Sequence, residues 1–253
     1  ILMLANDCTK YLPAKEGVTN QVDFMSDYAA MLRDIICKSL KKSEKDKPLK
    51  NFHIVVDAGN GAGGFYATEV LEKLGANTNG SQFLNPDGMF PNHIPNPENK
   101  EAMESICNAV LKNKADLGVI FDTDVDRAGC VGKNGEEINR NRLIALSAAI
   151  VSKDNPGATI VTDSVTSDGL KTFLEENLGC AHFRFRRGYK NVIDKAKELC
   201  ESGINSPLAI ETSGHAALKE NYFLDDGAYL VTKIIIELAG GTDIDKLLEP
   251  LKM

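Results

Sequence analysis

The chain has no tryptophan, few other aromatic residues and no excess of basic charge. Only 6% of its 253 residues are aromatic, and the formal net charge is −7. A protein without aromatic platforms or a basic surface lacks the usual means of binding nucleic acid. An acidic balance also disfavours anionic membranes, and the longest apolar run, 143–151, is too short to span a bilayer. We therefore expect neither nucleic acid nor a membrane as a partner.

Disulfide and export signals are lacking as well. The six cysteines are scattered without any C-x-x-C, and the apolar opening residues 1–5 have no basic flank. These features predict reduced thiols in an intracellular, soluble protein of the cytoplasm or an organelle stroma. The chain begins at Ile1 rather than at a methionine, which suggests a fragment or a processed product.

What the chain does contain is a repeated α/β pattern in a globular composition of 43% apolar and 26% charged residues. A strand ending in aspartate, a loop, a helix and a Leu-Gly pair occur over 54–75 and again over 158–179. We predict an α/β fold of two tandem related modules, with mixed, mainly parallel sheets flanked by helices. The turn 154–157 divides them into a connector and helix over 1–50 and modules over 51–156 and 157–253.

Three carboxylates follow the apolar run 115–121, which predicts a buried strand. Asp122, Asp124 and Asp126 occupy alternate positions, so in an extended or looped backbone they can converge on one point. They repel one another there unless a cation lies between them, and hard oxygen ligands suit Mg²⁺. Arg127 adds a positive fork for a phosphate oxygen. A solvated acidic turn is the alternative, but D-x-D-x-D-R directly after a buried strand favours the metal site.

A glycine-rich turn follows the first predicted strand. Residues 59–64 match G-x-G-x-x-G, the dinucleotide fingerprint, but the acidic residue that should contact a ribose is missing from 79–83. A tight strand-to-helix turn is therefore the better interpretation. The segment 85–99, with four prolines, predicts a long irregular loop of the kind that often carries function.

Two stretches of the second module carry polar chemistry. The segment 184–190 holds four cations, and Arg187 and Gly188 lie where a basic side chain and an accessible backbone can seat a phosphate or a carboxylate. A basic surface turn is the alternative. The stretch 211–215 leaves a predicted strand with Glu211, hydroxyl groups and an imidazole. Its carboxylate can accept hydrogen bonds from sugar hydroxyls, and its histidine can move a proton, although a capped helix start is equally consistent.

In combination these motifs resemble the α-D-phosphohexomutase superfamily, over about 52–238. The D-x-D-x-D-R of 122–127 looks like its metal-binding loop, and the E-x-S-G-H of 211–215 looks like its sugar-binding loop. Segments 56–64 and 88–97 resemble the opening strand and the proline-rich segment of its second domain. The family has four domains, and the resemblance places this chain on the middle two, with the metal loop in 51–156 and the sugar loop in 157–253.

The resemblance implies an isomerase that transfers a phosphoryl group within mannose or glucose phosphates, from position 1 to position 6, through a hexose bisphosphate and with Mg²⁺. The family's phosphoserine loop, T-x-S-H-N, and its fourth-domain phosphate clamp are not in this sequence. Hence the outer domains are expected partners, and the chain alone is expected to be inactive. The implied roles are metal ligands at Asp122, Asp124 and Asp126, catalytic groups at Arg127 and His215, and substrate contacts at Arg187, Gly188, Glu211, Ser213 and His215.

Departures from the family pattern leave two alternatives. Thr123 and Val125 replace common glycines, and Val165 stands where many members have a phosphate-binding lysine. A haloacid-dehalogenase-like phosphatase would use Asp122 as its nucleophile, but it leaves the stretch 211–215 without a role. A non-catalytic protein that binds sugar phosphates is the other alternative.

Overall fold

The computed structural model of the chain describes Leu2 and residues 17–251. Most of the connector predicted for residues 1–20 lies outside the described residues. The α-helices are α1 Phe24–Ser39, α2 Lys100–Asn113, α3 Asn141–Ser152, α4 Asp168–Thr172, α5 Tyr189–Glu201, α6 Gly227–Ala239 and α7 Ile244–Leu248. The strands are β1 Ile54–Asp57, β2 Leu117–Phe121, β3 Ala128–Gly132, β4 Glu137–Ile138, β5 Thr159–Asp163, β6 Ala181–Phe185, β7 Leu208–Ile210 and β8 Ala216–Leu218.

The strands form two four-stranded mixed sheets, which confirms the predicted α/β class. The first has the order β1-β2-β3-β4, with β1 and β2 parallel and the β2-β3-β4 ladders antiparallel. The second has the order β6-β5-β7-β8, with β5 parallel to both neighbours and β8 antiparallel to β7. A hairpin with an Asn-Gly turn joins β3 to β4, with Gly135 at φ +78°.

The internal repeat is visible in the structure down to its irregularities. Strands β1 and β5 each lead into a π-helical stretch, Tyr66–Leu71 in the first module and Phe173–Asn177 in the second. In each module a later strand parallel to the first, β2 or β7, continues into an antiparallel hairpin with β3 or β8, and in the second module β6 comes between them in the chain. The ends of β2 and β7 are therefore equivalent places in two related modules.

One apolar core serves both sheets. Alternate residues of β1 and β2 face α2, while the others face a larger core that also takes one face of β5, β7 and β8. Helices α3 and α6 lie in this shared core and contact each other. The outer face of the second sheet packs on α5. Because the middle helices are common to both sheets, each module completes the hydrophobic burial of the other.

A buried ion pair holds the proline-rich loop 85–99 against the end of β1. His93 Nε2 lies 3.0 Å from both carboxylate oxygens of Asp57, which is fully buried. Asp57 also accepts hydrogen bonds from the Gly59 amide and the Gln82 side chain. The loop that sequence alone describes as irregular is thus anchored at a defined point.

The longest apolar helices are too short, or too polar, to cross a lipid bilayer. Within residues 17–251, no helix meets the length and hydropathy that a membrane span requires.

Candidate functional site

The acidic loop after β2 is folded tightly around the Asp122 side chain. Asp122 is fully buried, and its Oδ1 accepts hydrogen bonds from the backbone amides of Val125 and Arg127, at 3.0 and 3.2 Å. Its Oδ2 accepts from Arg127 Nε at 2.8 Å. The loop therefore turns back on its first carboxylate instead of continuing as an extended strand, and Arg127 is fixed beside the acids.

Backbone conformation explains why glycine is common in this kind of loop. Val125 has φ +73°, a left-handed conformation that is costly for a β-branched residue. The glycine-rich turn packs against the same loop, with the Ala62 amide donating to the Thr123 carbonyl at 2.8 Å. A Cβ on Gly61 would lie 2.7 Å from that carbonyl oxygen. The G-x-G-x-x-G match therefore serves close backbone packing under the acidic loop.

The three aspartates converge as the sequence predicts. One carboxylate oxygen from each of Asp122, Asp124 and Asp126 lies within 4.8 Å of the others. Asp126 Oδ1 is buried and has no hydrogen-bond partner. Burial, followed by the charge of Asp122, raises the pKa of Asp126 to about 7. Hard oxygen donors and an unsatisfied, crowded carboxylate fit a divalent cation such as Mg²⁺, which would relieve the repulsion.

The loop after β7 holds its polar groups in buried positions. The Gly188 amide donates to Glu211 Oε1 at 2.6 Å, and Ser213 Oγ lies 3.3 Å from the other carboxylate oxygen. Burial raises the pKa of Glu211. Thr212 Oγ1 donates to the buried Asp163 at the end of β5, at 2.7 Å. Glu211 is thereby oriented but keeps acceptor capacity for further donors, such as hydroxyl groups.

The two loops lie directly against each other. The Ala128 amide donates to the Gly214 carbonyl, and Arg127 and His215 form an antiparallel bridge pair. Gly214 has φ +100°, and a Cβ there would lie 2.7 Å from the Ala128 carbonyl oxygen. This position requires glycine both for its conformation and for the close approach. The acidic loop of one module and the E-x-S-G-H loop of the other therefore line one site.

His215 lies at the junction of the two loops. Its Nδ1 is 2.7 Å from Asp225 Oδ2 and 3.6 Å from Asp126 Oδ2, and its ring stacks on Tyr189 with centroids 5.0 Å apart. Burial lowers the pKa of His215, but the hydrogen bond and charge of Asp225, with the charge of Asp126, outweigh it and raise the pKa overall. The imidazole is therefore placed beside both the acids and the polar loop.

The four cations of 184–190 do not form one basic cluster. Arg184 binds Thr166, Ser167 and Asp168, Arg186 lies over the Phe185 ring, and Lys190 pairs with Asp194 on α5. Arg187 is 56% exposed, and its Nη2 lies 4.0 Å from Glu98 of the proline-rich loop. Arg187 is therefore only loosely paired, and it precedes the Gly188 amide that binds Glu211.

Sequence reasoning missed two groups that contact His215. In the sequence, Asp225 lies just before α6, and Tyr189 lies within the basic segment 184–190. Neither had a recognisable spacing to His215, because both contacts form through the tertiary fold. Val165, the residue in place of the family's lysine, is 55% exposed and offers no charge.

Two family profiles cover nearly all the described residues. Residues 26–135 match phosphoglucomutase/phosphomannomutase, alpha/beta/alpha domain II, and residues 139–252 match alpha/beta/alpha domain III. A phosphomannomutase/phosphoglucomutase of Pseudomonas syringae pv. tomato is 34% identical over 228 residues, covering 90% of this chain and 45% of the relative. A phosphomannomutase of Methanocaldococcus jannaschii is 36% identical over 173 residues, covering 67% of this chain and 36% of the relative.

Solved structures agree. A phosphoglucomutase/phosphomannomutase family protein from Burkholderia thailandensis superposes with a TM-score of 0.76 at 30% identity, covering 97% of this chain and 50% of that one. The chain therefore belongs to the phosphoglucomutase/phosphomannomutase family, within the α-D-phosphohexomutases, and corresponds to its two middle domains. It spans about half the length of the curated relatives it matches, 45% in the Pseudomonas syringae case.

Proposed function

We propose that this chain supplies the metal loop and the sugar loop of a phosphohexomutase. In this proposal the whole enzyme is an isomerase that moves a phosphoryl group between positions 1 and 6 of mannose or glucose phosphates. The donor is a phosphoserine outside this chain, and a hexose bisphosphate is the intermediate. The division into a metal-loop part over 51–156 and a sugar-loop part over 157–253 is part of the same proposal.

The observation that carries the proposal is the contact between the two loops. The Arg127–His215 bridge pair joins the loop that carries the three converging carboxylates to the loop that carries Glu211 and Ser213. Phosphoryl transfer depends mainly on positioning and charge neutralisation, so a cation loop set against a hydroxyl-binding loop is the arrangement it needs. The family relationship supports the same assignment, and one structural relative, an N-acetylphosphoglucosamine mutase of Aspergillus fumigatus, was crystallised with GlcNAc-6P and magnesium.

In this proposal each site residue has a distinct role in phosphoryl transfer. Asp122, Asp124 and Asp126 would hold Mg²⁺, which when bound neutralises charge on the transferring phosphoryl group. Arg127, held by Asp122, directs its remaining guanidinium donors at phosphoryl oxygens. Glu211 accepts hydrogen bonds from sugar hydroxyls, and the Ser213 hydroxyl donates to them or accepts from them. Arg187 contacts the phosphate that does not react, whereas the Gly188 amide, already donated to Glu211, acts by orienting that carboxylate. His215 exchanges a proton with the reacting hydroxyl.

Metal binding by the purified chain tests the first half of the proposal. Mn²⁺ as a paramagnetic stand-in should bind weakly, and Mg²⁺ should displace it. Asp124→Asn should weaken Mn²⁺ binding at least about tenfold, because the side chain is exposed and loses a ligand without disturbing the fold. The matched control is Asp154→Asn, an exposed acid of the turn after α3, which should bind Mn²⁺ like the parent chain. Equal Mn²⁺ affinity in both variants would contradict the metal site.

Hexose phosphate binding tests the second half. With Mg²⁺ present, glucose 6-phosphate should shift amide NMR signals of 211–215, and Ser213→Ala should weaken that binding several-fold through loss of one hydroxyl contact. Ser152→Ala, a hydroxyl at the end of α3 that bonds only the Ala149 carbonyl, is the control. If no hexose phosphate perturbs the loop, this assignment of the sugar contacts is wrong.

The contact between the two loops argues against the phosphatase alternative. A phosphatase that uses Asp122 as its nucleophile gives no role to Glu211, Ser213 and His215, although the bridge pair of Arg127 and His215 brings their loop against the acidic loop. A non-catalytic binding protein remains an outcome of the binding experiments combined with activity measurements on a chain that includes all four family domains.

A further inference from the structure

A second contact joins the two modules beside the site, in addition to the Arg127–His215 bridge. Arg187 Nη2, in the segment after β6, lies 4.0 Å from Glu98 Oε2, near the end of the proline-rich loop. Within residues 17–251, this is the one ion pair that either side chain forms. An acid of the first module therefore faces the cation that the proposed function assigns to a phosphate.

The backbone that carries Glu98 is anchored on both sides. The buried Asn139 donates its side-chain amide to the Pro97 carbonyl at 2.6 Å. The Glu98 amide donates to Asn96 Oδ1 at 2.8 Å, and the next residue, Asn99, is the N-cap of α2. The side chain of Glu98 thus starts from a fixed point of the first module.

Arg187 is held by its backbone but not by its guanidinium group. Its carbonyl accepts from Asn191 Nδ2 at 2.9 Å, and the Gly188 amide that follows it donates to Glu211 at 2.6 Å. More than half of the Arg187 side chain is exposed, and in the described part of the chain its guanidinium makes no hydrogen bond. The guanidinium can therefore move about a fixed base while its fork of donors stays available.

The separation of 4.0 Å makes the Glu98 contact one that a phosphate can displace. A guanidinium that donates directly to an anion lies about 2.7–2.9 Å from the acceptor oxygen. Glu98 is farther away, so it attracts Arg187 by charge alone, and exposed pairs of this kind hold only weakly. A phosphate can accept two hydrogen bonds from the same fork. It should therefore replace Glu98, but only by separating the existing pair.

We propose that Glu98 is the partner of Arg187 in the ligand-free protein and competes with the phosphate of the ligand for it. The carboxylate acts through Arg187 and does not contact the sugar. Its effect is to lower the affinity for hexose phosphates and to give Arg187 an anion when a phosphate leaves. This inference rests on the proposed function, because that function supplies the phosphate.

Titration of Glu98→Gln with glucose 6-phosphate, with Mg²⁺ present and at low ionic strength, tests the competition. The amide keeps the shape of the side chain and removes its charge, so binding should become roughly two- to fivefold tighter than in the parent chain. The gain should shrink as salt is added, because salt screens an exposed pair. In an Arg187→Ala background, the same substitution should change the affinity by less than about 1.5-fold, since the two residues act as one pair.

The matched control is Glu101→Gln, which removes an equally exposed charge from the first turn of α2 and forms no ion pair with Arg187 within residues 17–251. It should bind glucose 6-phosphate like the parent chain. Unchanged or weaker binding by Glu98→Gln, an equal gain in Glu101→Gln, or a gain that persists without Arg187 would each overturn the competition.

The proposed function has a separate way to fail. It is wrong if the parent chain binds neither Mn²⁺ nor glucose 6-phosphate, and the competition is then wrong with it. If the parent chain binds both and Arg187→Ala weakens glucose 6-phosphate binding, a Glu98→Gln variant that gains no affinity overturns the present inference alone.

Discussion

Replacing His93 with glutamine should destabilise the chain by about 3 kcal/mol near pH 6. Asp57 has no exposure and receives donors from Gly59 at 2.9 Å, Gln82 at 2.7 Å and His93 at 3.0 Å. Removing one partner of a buried ion pair costs about 3–5 kcal/mol. The two donors that remain place the expected value at the lower end. For a chain of this size, the melting temperature should fall by roughly 6–12 °C, at about 2–4 °C per kcal/mol.

The pH dependence of this loss has a defined sign. The hydrogen bond to Asp57 raises the pKa of His93, and its Nδ1 also lies 3.1 Å from the Ile94 carbonyl oxygen, so both ring nitrogens face acceptors. A pKa raised in the folded state gives stability that is fully present below the unfolded value of about 6.5 and is lost as pH rises through the folded value. The stability gap between the parent chain and His93→Gln should therefore shrink towards pH 9.

Thermal unfolding followed by circular dichroism between pH 5.5 and 9 measures both quantities. His53→Gln is the matched control, because His53 bonds a single carbonyl, that of Asn79, at the protein surface. We expect the control to lie within about 1 kcal/mol of the parent chain at every pH. A His93→Gln gap that stays constant, or that widens with rising pH, would refute the charged pair.

Four further outcomes are expected. Gly214→Ala should cost at least about 2 kcal/mol in urea unfolding, because φ +100° and the Ala128 carbonyl at 2.7 Å both oppose a Cβ. Burial, then the charge of Arg184, lowers the pKa of His182 to about 4, so its contribution to stability should be lost as pH falls from about 6.5 towards 4, and acid titration of His182→Gln should lack that loss. Tyr28→Phe should cost about 1.5 kcal/mol in the same urea assay through its 2.6 Å hydrogen bond to the Asp226 carboxylate. Finally, the purified chain alone should not turn over glucose 1-phosphate in a coupled assay, and measurable turnover would contradict the need for an external phosphoserine.

Local signals in the sequence were sufficient for much of the fold. The apolar run 115–121 predicts a buried strand, and β2 over Leu117–Phe121 is buried at every residue. The π-helical stretch after β1 was predicted only as an ordinary helix, because nothing in the local sequence distinguishes it. Helix α7, beyond Gly241, was not predicted, since its five residues, Ile244–Leu248, are too few to show a period.

The part of the site that lies within a single sequence motif could be predicted. Asp122, Asp124 and Asp126 lie within one loop, so their spacing was enough to predict that they converge. The partnership of His215 with Asp225 and Tyr189 depends on how β8, α5 and α6 pack, and no sequence spacing encodes that packing. The contacts of the four cations in 184–190 could not be predicted for the same reason, because each cation contacts a different group that only the tertiary fold brings near it.

The shared core has a consequence for how the two modules can move or be exchanged. Helices α3 and α6 are buried against both sheets, so a hinge between the two modules would have to expose apolar surface of both. The distance from the carboxylates of Asp122, Asp124 and Asp126 to Glu211 is accordingly set when the chain folds. Crystals grown with different hexose phosphates should superimpose over residues 54–239, and exchanging either module alone for that of a relative should yield an insoluble product.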